Sequence, residues 1–370
     1  MFIDAMGLIL AENRKLSLGE LTQKRALAAL PFAGRYRLID FMLSNLVNSG
    51  ISSVGVVTFN KYRSLMDHLG SGKAWDLSRK DKGLFILPPN VLSDSLSSGG
   101  DIGDMTAVLD LLRTSHWTHV ILSGANNVFT TTFDDFYKKH VEAGADISIL
   151  FNQDGPETAR TTTVLKTDKG NWVKEILIGP ESRAGAKYSL GVIVLRRQLL
   201  IELLSDSIAR GENEFSMDQI MRRHTHLRIL AYPFEGVCLK IHSVESYFSA
   251  TMKVLDKSVR KSLFWSDLPV YTKVKDEAPS HYCCGCDVSN SMISDGCRVY
   301  GHVEDSMIFR AVTIGAKTSV KSCIIMQDSY ISEGCELENV ILDKNCFLRP
   351  GVKLVGQAAY PVVIGKGAVV

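Results

Sequence analysis

Nowhere in these 370 residues does an apolar run reach the roughly 18 that a membrane-spanning helix needs, so no membrane segment is expected. The opening stretch Met1–Ala11 is apolar but short. It lacks a basic leader and a cleavage-like site, so it reads as a buried first strand rather than a signal peptide. Excess charge of one sign is also missing: Lys plus Arg number 42, Asp plus Glu 40, and the net charge is +2. No global field draws the chain toward nucleic acid or a membrane surface, and neither partner is expected. Cysteine is sparse, eight residues, and thinly spread, which excludes a disulfide framework. Reduced thiols and a cytoplasmic setting are expected. The run His281, Cys283, Cys284, Cys286 offers no second pair at zinc-finger spacing, so no metal is expected there. A phosphate-binding P-loop is absent as well. Gly72-Lys73 would need Gly at 67 and Ser or Thr at 74, and those positions hold Asp67 and Ala74.

What is present is ordinary globular material. Hydrophobic residues make up 45% and charged residues 22%, and the length suits two domains. From Met6 to about Asp256, β-rich runs alternate with helical stretches. Met6–Ala11, Ser53–Thr58, His119–Ser123 and Ile147–Phe151 read as buried strands, and Arg37–Ser49 and Met105–Ser115 as helices. This alternation predicts an α/β domain with a mostly parallel sheet, whose ligands sit beyond the carboxyl ends of the strands. Residues 257–278, with Pro269 and the charged run Lys273–Glu277, read as a linker.

Beyond it, five segments share an apolar step of six residues with a turn residue midway. They are Ile293–Val299, Ile314–Val320, Ile331–Leu337, Leu348–Leu354 and Ile364–Val370. Gly296, Gly334, Gly351 and Gly367 take the turn place in four, Lys317 in the fifth. That is the signature of hexapeptide repeats wound into a β-helix over 279–370, with the turn position tolerating positive φ.

The motifs of the first half run in a telling order. Leu18-Gly-x-Leu-Thr22 precedes Pro31-Phe-Ala-Gly34 and Arg37-Leu-Ile-Asp40-Phe41. Gly70-Ser-Gly-Lys-Ala-Trp75-Asp76-Leu77, Ile121-Leu-Ser-Gly124, Ser189-Leu-Gly191 and Tyr232-x-Phe234-Glu-Gly236 follow. Together with the hexapeptide repeats, the sequence resembles the ADP-glucose pyrophosphorylases, also called glucose-1-phosphate adenylyltransferases. The resemblance covers nearly the whole chain. It implies a Rossmann-like nucleotidyltransferase domain over 1–256 followed by a left-handed parallel β-helix.

The resemblance also shows what has been lost. Family catalysis joins ATP and glucose 1-phosphate with release of pyrophosphate. Crowded phosphates there need backbone donors, cations and a carboxylate-held Mg²⁺. The family's glycine-rich phosphate turn corresponds here to Glu12, Asn13, Arg14, Lys15, Leu16 and Ser17, with no glycine; its Arg falls on Ser17. The Lys of its Ala-Lys-Pro segment falls on Leu27. The two metal aspartates fall on Ala125 and Lys240. The sugar-phosphate Lys falls on Gly179, in Ile178-Gly179-Pro180. The expectation is a regulatory-type, non-catalytic subunit. It would pair with a catalytic paralogue in a heterotetramer, with Mg²⁺ needed only in that partner. Lys24, Arg25, Arg35 and Arg37 fall where the family binds phosphorylated effectors, though a solvated face or a subunit contact would use the same charges. Asp40, Asn45 and Asn48 are expected to cap or pack a helix.

Three rival readings remain. The chain could be an active adenylyltransferase with relocated metal ligands, which the distant Asp134 and Asp135 do not readily supply. It could be a β-helix acyltransferase, as in the bifunctional uridylyltransferases, for which His302 is the one available histidine past His281. Or it could be a ligand sensor without a partner.

Overall fold

The computed structural model describes residues 3–12, 16–58, 61–80, 82–88, 102–153, 163–179, 185–210, 226–265 and 267–370. The first part follows the expected alternation. Its main elements are β1 (Ala5–Leu10), α1 (Leu38–Asn48), β2 (Ser53–Val57), α2 (Arg63–Leu69), β3 (Gly83–Leu87), α3 (Ile102–Thr114), β4 (His119–Gly124), α4 (Asp134–Ala143), β5 (Ile147–Asn152), β6 (Thr163–Thr167), β7 (Val173–Ile178), β8 (Lys187–Arg196), α5 (Arg197–Ala209), β9 (Ile229–Pro233), α6 (Val244–Lys253) and α7 (Lys257–Phe264). The sheet runs β7-β6-β8-β4-β1-β2-β3, with β5 paired to both β8 and β9. β1 pairs in parallel with β2 and β4, and β2 with β3. β8 turns antiparallel against β4 and β5. Central strands read as near-continuous apolar runs because both faces are covered. One core cluster packs Ile9, Met42, Val54 and Ile121, and a second packs Leu8, Leu112, Leu122 and Leu200. α1 lies close on β1 because Gly7 has no side chain; a Cβ there would meet Leu46 at 2.6 Å.

The polar residues of α1 each have a task. Asp40 Oδ2 accepts the Arg37 backbone N–H at 2.9 Å and closes the helix start. Asn45 spans Phe129 O and Thr131 N, and Asn48 Nδ2 donates to Pro269 O. Capping and packing, as expected, account for all three.

The second part is a left-handed parallel β-helix of three five-stranded sheets. Tyr282, Val299, Ile314, Ile331 and Leu348 stack as register partners in one of them. All five marked turn positions have positive φ: Gly296 77°, Lys317 57°, Gly334 67°, Gly351 75° and Gly367 76°. They do not share one edge of the helix, however. Lys317, Gly334 and Gly351 stand between the first and second sheets, and Gly296 and Gly367 between the third and first. The remaining edge is turned by Asn290, Asp305, Ser322 and Asn339, also at positive φ. Asn and Asp tolerate that conformation through local hydrogen bonds, so the turns there carry no glycine mark.

The stretch taken as a linker is firmly packed. Its first residues form α7, whose start Asp256 caps through Ser258 N at 2.7 Å. Phe264 stacks on Tyr36, and Tyr271 N donates to Ser44 Oγ at 2.8 Å. The two parts also share a core. Leu18, Phe32, Phe41 and Tyr247 cluster with Met307, Phe309, Ile324 and Ile341 of the β-helix.

Candidate functional site

The carboxyl ends of β1, β2 and β4 lie along one edge of the sheet, where an α/β fold binds ligands. After β1 the chain continues through Ala11, whose N–H bonds Val57 O, to half-buried Glu12. Asn13, Arg14 and Lys15 lie outside the described residues. Ser17 is exposed, so its hydroxyl stands in solvent. Leu27 opens a short 3-10 turn and is buried in the shared core. Position 27 thus offers a methyl-tipped side chain packed against its neighbours.

After β4 comes Ala125, buried in the first core cluster. The next residues form a short antiparallel pair in which Asn127 faces Lys240, and Asn126 O accepts from Ile241 N at 2.9 Å. The structure therefore sets Lys240 across from Asn127, two residues past Ala125. The residues there do not suit a two-carboxylate metal site. Ala125 offers a methyl group, and Lys240 offers an ammonium that donates to Ser189 O at 2.8 Å above the Tyr188 ring. Burial lowers the Lys240 pKa. Its cross-strand neighbour Asn127 donates Nδ2 to Leu190 O. Both side chains thus hold consecutive carbonyls of β8. A divalent cation at this point would meet a positive charge rather than a ligand pair. Asp134 and Asp135 open α4 with exposed side chains, where they favour the helix start. Among the described residues, no group of three or more His, Cys, Asp or Glu is arranged to hold a metal ion. Gly179, exposed at φ 67°, follows edge strand β7, which β6 and β8 separate from β4; Pro180 lies outside the described residues.

The four basic residues separate. Arg25 is buried, and its Nη2 donates to both carboxylate oxygens of Asp343 of the β-helix, at 2.7 and 2.8 Å. It is a bolt between the two parts, buried rather than on the solvated face that is one reading of the cluster. Arg37 donates to Ser64 O at 2.6 Å, and burial lowers its pKa to about 10. Lys24 is exposed and reaches Lys366 O at 3.4 Å. Arg35 is exposed and lines a different cleft beside α2.

Two charged residues at this interface went unmarked in the sequence. Asp343 is 1% exposed and Lys344 9%. Burial first, then Arg37 and Arg25, pull the Lys344 pKa down to about 6, against the opposing influence of Asp343. The available signal was Asp-Lys-Asn set directly between apolar repeats, where a charged pair must either turn outward or find partners. His68 was missed as well: its Nε2 meets Asp40 Oδ1 at 2.6 Å, and burial lowers its pKa. His302 lies in a β-helix strand, exposed and 4.0 Å from Asp287.

Comparison with known proteins agrees with this architecture. Residues 7–268 match the nucleotidyl transferase family model, and residues 280–359 match the GlmU-like C-terminal hexapeptide model. The glycogen biosynthesis protein GlgD of Bacillus subtilis (strain 168) is 36% identical over 98% of this chain and 96% of its own length. The protein of the same name from Geobacillus stearothermophilus is 38% identical, again over 98% and 96%. A glucose-1-phosphate adenylyltransferase from Fervidobacterium nodosum is 29% identical over 96% of this chain and 87% of its own.

Proposed function

The chain belongs to the nucleotidyl transferase family, in the branch that holds the GlgD glycogen biosynthesis proteins and the glucose-1-phosphate adenylyltransferases, and from that premise we propose that it serves bacterial glycogen synthesis without catalysing a step. It assembles with a catalytic glucose-1-phosphate adenylyltransferase, in a cytoplasmic heterotetramer, and shifts that partner toward its active state through contacts that differ between the partner's two states. Mg²⁺, ATP and glucose 1-phosphate are handled by the partner.

One observation carries this reading. The two positions matched to the family's metal aspartates hold Ala125, a buried methyl group, and Lys240, a half-buried ammonium set across from Asn127, two residues past Ala125. Losing one electrostatic contact to a transition state costs about 3–4 kcal/mol. Here the metal carboxylates, the Leu27 and Gly179 cations and the glycine turn are replaced together, and such losses, though not additive, leave little rate.

A phosphorylated effector is a second part of the proposal. Its support is the group of charges between the two parts. Arg25 and Arg37 stand with Asp343, Asp40 and Asp67, and Lys344, Arg310 and Lys366 lie close enough to be felt. An added anion would pair with Lys344 and favour its protonated form.

The deciding assay is ADP-glucose formation by the catalytic subunit with and without this chain, and by this chain alone with Mg²⁺. The expected result is no turnover alone and a changed rate, affinity or effector response in the mixture. Turnover by the chain alone would establish relocated metal ligands instead. An unchanged mixture, with no co-elution by size, would leave a sensor without a partner.

A further inference from the structure

Seven of the eight cysteines lie in the β-helix, and they fall into two sets. Cys297, Cys323, Cys335 and Cys346 are buried, each with its thiol directed at a backbone carbonyl: Phe309 O at 3.0 Å, Lys321 O at 3.0 Å, Arg349 O at 3.2 Å and Gly365 O at 3.3 Å. Burial pushes the Cys323 pKa up to about 12 and raises those of Cys297 and Cys346 as well. All four thiols are enclosed by packing and hydrogen bonding. The other three are placed differently. Cys283, Cys284 and Cys286 belong to the first turn of the β-helix, directly after its opening strand His281–Tyr282. Cys284 is exposed, and Cys283 and Cys286 are half-buried.

The turn puts Cys283 and Cys286 at its two ends. Cys286 N donates to Cys283 O at 3.1 Å, and Gly285 has φ 86° in the third place, where a type II turn requires a positive value. Such a turn keeps its end Cα atoms within about 7 Å, and a disulfide spans about 4.4–6.8 Å. A bridge between the two ends therefore asks for little backbone movement. His281 Nδ1 lies 3.5 Å from Cys283 Sγ, in place to accept the thiol proton. Arg298, the register partner of His281 in the next coil, adds positive charge to that face. Asp287, the acid that follows the turn, lies 4.0 Å from His302.

We propose that Cys283 and Cys286 form a redox-active dithiol that exchanges reversibly with low-molecular-weight disulfides. The Cys283 thiol passes its proton to His281, and its sulfur attacks one sulfur of the small disulfide RS–SR. That S–S bond breaks, and the departing RS⁻ takes up the proton. Cys286 then loses its proton to solvent and attacks the Cys283 sulfur of the mixed disulfide, expelling the second RS⁻, which is protonated in turn. The protein dithiol is oxidised to a disulfide, and RS–SR is reduced to two RSH. The loop closed is too short for the bridge to stabilise much by restricting the unfolded chain, so the pair acts as a switchable bond and not as a staple. The coil it would stiffen is tied to the connection between the two parts, through Gly296 N to Ala278 O at 2.6 Å and Ser280 Oγ to Ser294 O at 2.5 Å.

The test equilibrates the intact, reduced chain at pH 7 in mixtures of reduced and oxidised glutathione, quenches with acid, alkylates the remaining thiols and reads each cysteine by peptide mass. A Cys283–Cys286 disulfide is expected, its fraction following the glutathione ratio and returning to zero with dithiothreitol, while Cys297, Cys323, Cys335 and Cys346 stay reduced. Cys286→Ser should arrest the reaction at a mixed disulfide on Cys283. His281→Ala should slow that capture by about threefold or more at pH 7, with the difference closing at high pH, where thiols ionise unaided. No bridge between 283 and 286 at any ratio, a bridge through Cys284 in its place, or glutathione carried equally by Cys283 and Cys284 in Cys286→Ser would each overturn the assignment. Unchanged capture in His281→Ala would overturn the proton transfer to His281. Thiols that react only after a chelator is added would make the cluster a metal site and overturn the dithiol. These readouts use this chain alone, so they stand or fall independently of any effect on a catalytic partner.

Discussion

At the scale of single residues, the sharpest contrast is between Arg25 and Lys344, neighbours in one buried group. Arg25 has its carboxylate; Lys344 has mainly other cations. Removing Asp343 should therefore leave a guanidinium buried and unpaired. Asp343→Ala is expected to cost about 3–5 kcal/mol in urea unfolding, whereas Arg25→Met/Asp343→Leu should recover most of that loss. Lys344→Met should do the reverse and stabilise, by about 1–3 kcal/mol. The pH dependence fixes the sign. In the unfolded chain Lys344 holds its proton up to its ordinary range near 10.5, but in the fold only up to about 6. Between those values the unfolded state binds the extra proton, so the Lys344 penalty is full below pH 6 and fades as pH rises. The advantage of Lys344→Met should be largest near pH 6 and shrink toward pH 10 in a series of thermal melts. The basic cluster was legible in the sequence because its members are close together there. The partner of Arg25 was not, since it lies 318 residues away and only the folded interface joins them.

At the scale of elements, periodicity carried most of the information. The buried strands and α1 appeared where apolar runs and helical spacing put them, displaced by a residue or so at their ends. The β-helix followed from its six-residue step. Its turns were only partly legible, because glycine was the sole visible mark and Asn, Asp and Ser turn the other corners. Lys317 shows the cost of a side chain at such a corner. It sits at φ 57° between residues of the first and second sheets, where its stacked neighbours are Gly334 and Gly351. A left-handed conformation costs a residue with a Cβ about 1–2 kcal/mol, and glycine's added freedom in the unfolded chain returns part of the gain. Lys317→Gly should thus stabilise the protein by about 0.5–1 kcal/mol, and Gly334→Val should destabilise it by at least as much, both by denaturant midpoint. The Asn127–Lys240 pair teaches the complementary lesson. Sequence comparison marked position 240 as a loss. That its ammonium clasps Ser189 O, and so has a structural use, required the fold.

At the scale of the whole molecule, the division into two domains describes the chain's periods better than its energetics. Phe32, Phe41 and Tyr247 pack in one cluster with Phe309, Ile324 and Ile341. Arg25–Asp343 lies within the same boundary, and the connecting segment is fastened through Ser44, Asn48 and Asp67. A boundary that buries apolar side chains and an ion pair together cannot open cheaply, since separation would expose both at once. The sheet domain and the β-helix should therefore unfold in a single calorimetric transition, with calorimetric and van't Hoff enthalpies in agreement. Asp343→Ala should lower that transition without splitting it, unless the apolar contacts are weaker than the ion pair. Two resolved transitions in the native chain would mean that the parts fold independently. Coupling of this kind is also what a modulatory subunit needs: a force applied at the β-helix reaches the sheet domain only if the joint between them is stiff.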